Sequence, residues 1–212
     1  LYPGSRKNAL EHMDCANLNG FNTVTTGCQI IIGDGLRGTD DILVPVPNGE
    51  YCKQAYIGRA VMDADILISL THFKGHEQAG FGGAIKNIGM GCGSRAGKMQ
   101  QHNSGHPVVN EKKCRGCRRC ARECGSNAIS YLPRTDEQGR TVTKAWIDPA
   151  LCKGCGRCIG ACAFDAIRNQ NYNAPQLLGR KMAEYTAAVC HGRPCFHISL
   201  ITDVSPNCDC RG

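Results

Sequence analysis

Two cysteine runs of identical spacing dominate the chain: Cys114, Cys117, Cys120 and Cys124, then Cys152, Cys155, Cys158 and Cys162. Each reads C-x2-C-x2-C-x3-C, the run by which bacterial ferredoxins hold 4Fe-4S clusters. Three thiolates three residues apart can wrap one corner of a cubane, provided that small intervening residues let backbone N–H groups approach its sulfurs. Gly116 and Gly154 fill such places. Flanking residues repeat at the same offset of 38, pairing Val109 with Ile147, Arg119 with Arg157, Ala128 with Ala166 and Ile129 with Ile167. The segment is therefore a duplicated unit. In two-cluster ferredoxins the fourth cysteine of each run ligates the other cluster. The expected sets are Cys114, Cys117, Cys120 and Cys162 for the first cluster, and Cys152, Cys155, Cys158 and Cys124 for the second. Four-cysteine zinc sites are the plainer alternative, but they use C-x2-C pairs separated by a longer loop and need no third cysteine in step. The proline that usually follows the fourth cysteine is replaced by Gly125 and Ala163, which alters the local turn and leaves the ligands in place.

The chain has 212 residues and 16 cysteines, enough length for one large or two small domains. Free thiolates in cluster runs point to a reducing compartment, so a cytoplasmic location is expected. No apolar run approaches the ~18 residues of a membrane span. Leu1 is not a methionine and Gly212 closely follows a cysteine pair, features expected of a fragment of a longer chain. The formal charge is +7 with cysteines neutral; two ligated clusters at −2 each bring it to about +3. Lys112, Lys113, Arg115, Arg118, Arg119 and Arg122 crowd the first run. Nucleic-acid binding is the other use of such a patch, but aromatics are only 6% of the chain and no stacking array accompanies the charges.

The duplicated unit is expected to interrupt an α/β domain. Residues 1–106 form its first part, 107–170 an inserted α+β, ferredoxin-like two-cluster domain, and 171–212 the return. Ser5 suits an N-cap for a helix from Arg6 to Leu18, and Gln29 to Ile32 reads as a short buried strand between glycines. Ile42 to Val46 and Glu50 to Ile57 read as further strands, Arg59 to Met62 as one helical turn, and Ile66 to Leu70 as the most fully buried strand. Thr135 to Arg140, with Gly139, suits a hairpin connection between the repeats. Pro175 opens a helix with Leu178, Met182, Tyr185 and Val189 on one face, followed by a strand from Phe196 to Ile201.

A second candidate site follows the Ile66 to Leu70 strand, where open α/β sheets place ligands. Its glycine-rich sequence carries His72, Lys74, His76, Lys86, Asn87 and Cys92. Gly80 stands where a zinc-protease H-E-x-x-H needs its second histidine, and Met99 stands where a phosphate loop needs serine or threonine. Lys74 and Lys86 suit a carboxylate or phosphate; a loop that packs on the duplicated unit is the plainer account. Cys208 and Cys210 flank Asp209 and, with Cys92, make a possible third metal or cluster site. Cys15, Cys28, Cys52, Cys190 and Cys195 lack partner spacing and read as small buried hydrophobes.

The stretch SLTHFKGHEQAGFGGAIKNIGMGCGSRAGK, from Ser69 to Lys98, resembles the signature of the domain-of-unknown-function family 362. The opening LYPGSRKNALEH, IIIGDG at 30–35 and TDVSPNCDC at 202–210 are similar to that family too. Its members often carry an inserted two-cluster ferredoxin domain and are longer at both ends. The resemblance thus implies an iron-sulfur protein. An electron carrier with two 4Fe-4S clusters is the leading expectation, exchanging electrons with a redox partner protein or a small-molecule donor or acceptor. A redox enzyme whose clusters feed a substrate or cofactor in the His72 to Cys92 loop is the alternative.

Overall fold

A computed structural model describes residues 6–76, 79–102, 106–136, 138–169 and 175–206. Helix α1 (Ala9–Leu18) starts later than the sequence suggests. Asn8 is its N-cap, accepting from the Glu11 N–H at 2.9 Å, while the Glu11 carboxylate reaches back to the Lys7 N–H at 3.2 Å. That Asn-to-Glu spacing supplies the cap; Ser5, the expected cap, lies outside the described residues. Helix α2 (Thr23–Thr26) is one turn, closed by Gly27 at φ 68°. Residues 29–32 are not a strand, and Ile31 is 72% exposed.

Strands β1 (Asp41–Pro45) and β2 (Gln54–Gly58) pair antiparallel, and one-turn α3 (Arg59–Met62) follows. Strand β3 (Leu67–His72) leads through β4 (Lys74–His76) and β5 (Gly80–Gly82), an antiparallel pair, to α4 (Ala84–Cys92) and α5 (Arg95–His102). The duplicated unit comprises β6 (Pro107–Val109), α6 (Arg119–Arg122), β7 (Ile129–Thr135), β8 (Thr141–Ile147), α7 (Arg157–Ala161) and β9 (Ile167–Asn169). Helix α8 (Pro175–Cys190) and strand β10 (Cys195–Leu200) complete the described elements. Strand β10 pairs parallel with β3, so the chain leaves that ladder, runs through the duplicated unit and returns to it. Among the described residues the strands form five two-stranded ladders.

The first core joins Val46, Cys52, Ala55 and Ile57 of the β1–β2 region to Ile88 of α4 and Tyr185, Ala188 and Val189 of α8. Helices α4 and α8 touch at Gly89, where a Cβ would lie 2.2 Å from the Met182 carbonyl oxygen. The buried stripe of α8 is the expected one, with Leu178, Met182, Tyr185 and Val189 all within 3% exposure. Strand β3 differs from expectation: Ser69 and Thr71 point inward, whereas Ile66, Ile68 and Leu70 are 60–64% exposed. The inward hydroxyls are satisfied by each other and by Asn87 Nδ2, which donates to Thr71 Oγ1 at 2.8 Å. In the register Ile68 faces Phe196 and Leu70 faces Ile198, so the outer face of the ladder is apolar.

The second core is thin. Its buried members are Cys114, Cys120, Ala145, Cys158, Ala166 and Ile167, half of them cysteines. So little apolar mass rarely holds a unit of this size together without a bound group or cross-link.

Candidate metal centre

The 38-residue sequence repeat is a structural repeat. Arg118 and Gly156 share a left-handed backbone, at φ 64° and 69°, as do Asn127 and Asp165, at 51° and 49°. Gly116 and Gly154 also match, at 65° and 73°. Gly116 has a second constraint, because a Cβ there would lie 2.4 Å from the Thr143 carbonyl oxygen. The halves are exchanged at their edges: the Asn110 N–H donates to the Ala166 carbonyl at 2.7 Å and the Asp148 N–H to that of Ala128 at 2.8 Å. Likewise β6 pairs with β9, and Ile129 of β7 with Ile147 of β8. The entry strand of each repeat therefore lies against the exit strand of the other.

This exchange brings cysteines of different runs together. Cys152, Cys155 and Cys158 of the second run line one cleft with Cys124 of the first; Pro107, Ala128, Ile129 and Ile147 make its apolar walls. The cleft holds about 320 Å3 of space, part of it open to solvent. Cys114, Cys117 and Cys120 lie within electrostatic reach of one another, and Cys162 packs on the buried group containing Cys114, Cys120 and Cys158. Among the described residues, no three His, Cys, Asp or Glu side chains stand close enough to hold a single metal ion.

The donor chemistry fits a cluster. Backbone N–H groups of Ala128 and Ala166 donate to Cys124 Sγ and Cys162 Sγ, both at 3.3 Å. Ala145 N–H and Gly154 N–H donate to Cys114 Sγ and Cys152 Sγ, both at 3.4 Å. Such bonds stabilise sulfur carrying negative charge. Burial, followed by the neighbouring thiols, raises the pKa of Cys158; burial also leads the rise at Cys120 and Cys152. A bound cation would favour the thiolate form of thiols so placed. Tyr131 Oη shares a hydrogen bond with Cys120 Sγ at 3.2 Å, and the Arg118 guanidinium lies 5.4 Å over the Tyr131 ring.

The surroundings of the two cysteine groups differ. The second faces the rest of the molecule: a Cβ at Gly156 would touch Met99 Sδ at 3.0 Å, and Lys153 Nζ meets the buried Asp41 carboxylate at 2.9 Å. Arg157 pairs with Glu123 and donates to the Arg37 carbonyl at 2.9 Å. Arg95 on α5 lies within electrostatic reach of Cys155, Arg157, Asp34 and Glu123, and its Nε is buried without a hydrogen-bond partner among the described residues. Around the first group Lys112, Lys113, Arg115, Cys117, Arg118, Arg119 and Arg122 are all exposed.

The His/Lys residues are only partly gathered. Lys74 and Lys86 flank Gly82, whose Cβ would lie 3.7 and 3.6 Å from their stems. His76 and Lys86 lie within electrostatic reach of His102, and burial first, then these neighbours, lower the His102 pKa. His72 instead bonds through Nε2 to the Thr202 carbonyl at 2.6 Å, and Asn87 ties α4 to β3. Cys92 ends α4 against the first core, where burial raises its pKa; Cys208 and Cys210 lie outside the described residues. The neighbours of Cys92 include Cys190, whose pKa is pushed up to about 11 by burial and by Cys195. Of the cysteines read as buried hydrophobes, Cys52 is buried and Cys28 exposed. Sequence spacing gave no sign of Arg95 or Tyr131 near the cysteines; Lys153, inside the second run, and Arg157 carried a signal as the repeat mates of Arg115 and Arg119.

By fold and site the molecule is a mixed α/β protein carrying a duplicated four-cysteine unit. No curated protein matches the chain. The family model described as domain of unknown function (DUF362) matches residues 2–212, and the chain belongs to that family.

Proposed function

We propose that the chain is an iron-sulfur protein that moves single electrons through two 4Fe-4S clusters held in an inserted, ferredoxin-like domain. Cys114, Cys117, Cys120 and Cys162 hold the first cluster, and Cys152, Cys155, Cys158 and Cys124 the second. The observation that carries this reading is the cleft lined by three cysteines of one run and the fourth of the other. The clusters supply one-electron redox capacity; the protein supplies thiolates, N–H donors to sulfur and an apolar wall that sets the potential. A cytoplasmic, reducing setting accords with the thiol content. The test is iron and acid-labile sulfide on anaerobically purified protein, with EPR after dithionite reduction. About eight of each per chain is the expected result; zinc without sulfide overturns the reading. Cys124→Ser should damage the second cluster more than the first.

One observation favours a second reading, in which the clusters serve a bound substrate: Lys74 and Lys86 run together past Gly82, and Lys86 and His76 both lie within electrostatic reach of His102. Alanine at Lys74 and Lys86 would then abolish turnover and leave the cluster spectrum intact. A pure carrier would keep its electron-exchange rate.

A further inference from the structure

The two cysteine groups are unequal in access, and the inequality assigns them different tasks. The second faces the rest of the molecule, with Met99 and the Lys153–Asp41 pair against it and Arg95 within electrostatic reach of Cys155, and its cysteines are buried or half-buried. The first reaches the surface at Cys117, which is exposed and flanked in sequence by exposed Arg115, Arg118 and Arg119. Nearby carboxylates are already engaged. Glu111 binds Arg134 at 3.0 Å, Glu123 binds Arg157, and Asp165 binds Arg168 and, at 3.5 Å, Lys113. Among the described residues no ion pair joins Arg115, Arg118, Arg119 or Arg122 to a carboxylate. Six exposed cations within eleven positions, Lys112 to Arg122, thus surround the one exposed thiol of the two runs.

We propose that this basic rim is the docking face for an acidic one-electron carrier protein, with the Cys114, Cys117, Cys120 and Cys162 site as the port for electrons. The inference rests on the two-cluster reading. Charge complementarity selects the partner, because a cationic ring around an electron port speeds encounter with an anionic surface without requiring tight binding. The step transfers one electron between the carrier's centre and the first cluster, with no bond made or broken and no proton required. The second cluster, packed on α5, passes the electron inward. A nucleic acid is the competing occupant, disfavoured because aromatics are only 6% of the chain and Tyr131, the ring under Arg118, is half-buried with its hydroxyl bonded to Cys120 Sγ.

The test uses the iron-loaded full chain and an acidic plant-type ferredoxin as probe, with electron exchange followed by stopped flow in whichever direction the potentials allow. The second-order rate should fall at least tenfold as ionic strength rises from about 20 to about 500 mM. The double variant Arg115→Glu, Arg119→Glu should lose about tenfold in rate at low salt and most of the salt dependence, with iron content unchanged. Lys53→Glu, in the turn before β2, should behave as the parent. Midpoint potentials measured alongside separate encounter from driving force. A flat salt response, or a rate loss fully accounted for by a potential shift, overturns the docking face and leaves the clusters standing. So does salt-sensitive binding of oligo-dT by the parent with no effect of the variant on ferredoxin exchange. Protein without iron and sulfide overturns the cluster reading and the docking face together.

Discussion

The carboxylate of Glu184 accepts three successive backbone N–H groups, from Glu50, Tyr51 and Cys52, at 2.7, 2.9 and 2.7 Å. One side chain of α8 thereby fixes the turn that feeds β2, and Glu184→Ala strands donors in a half-buried place. The loss should be about 2–4 kcal/mol in urea unfolding, with Glu184→Gln losing less because one acceptor oxygen remains. Arg95 acts on charge. In the two-cluster reading, a cation held near Cys155 would favour the reduced, more negative cluster, while Asp34 and Glu123 would offset part of its field. Arg95→Gln should lower the potential of the second cluster by on the order of 50 mV, the scale of ~1 kcal/mol from a partly buried charge; redox-poised EPR reads the shift, and the first cluster should move less. At this scale the sequence was legible only where spacing carried the chemistry. The eight cysteines announce themselves through a three-residue rhythm, whereas Arg95 stands sixty positions from Cys155 and meets it only because Gly156 lets α5 approach.

Helices α4 and α8 approach through Gly89, and Gly89→Ala would drive a Cβ to within 2.8 Å of Thr186 Oγ1 as well as into the Met182 carbonyl. The helices must part, and the cost should be about 1–3 kcal/mol, seen as a lower midpoint of thermal unfolding with helical content retained. The stripe of α8 was readable because Leu178, Met182, Tyr185 and Val189 keep helical period over about three turns. The strand at 29–32 failed because an aliphatic triplet between glycines needs a pairing partner, and Ile31 remains in solvent. Strand β3 lies where the sequence places it, but its burial differs: Ile68 and Leu70 lie on the outer face, while Ser69 and Thr71 turn inward to meet Asn87. Composition suggested burial on both faces, and only the register with β10 shows one face open.

For the whole molecule, two cores of different character predict two responses to loss of metal. The first is built from aliphatic and aromatic side chains; the second is half cysteine. Stripping iron and sulfide should therefore erase hydrogen-exchange protection across residues 106–169 while α4 and α8 keep theirs. Uniform loss over both regions would show that the cores are one cooperative unit. Among the described residues no helix is long and apolar enough to cross a membrane. The general plan, a duplicated cysteine unit between stretches of mixed helix and strand, was legible in the sequence. The exchange of edges between repeats was not, because pairing of Asn110 with Ala166 and of Asp148 with Ala128 depends on backbone geometry.

The parallel partnership of β3 with β10 also sets a timetable for synthesis. Every cysteine of the two runs leaves the ribosome after β3 and before β10. At ~5–20 residues per second, β3 waits on the order of ten seconds for its partner. Both repeats are made within that interval, the second only shortly before β10, while the edge of β3 stands unpaired with Ile68 and Leu70 on its open face. If the proposed clusters are inserted during synthesis, their delivery and the protection of a sticky strand fall in the same window of the chain's life, and a nascent chain that stalls within it is at greatest risk of aggregation.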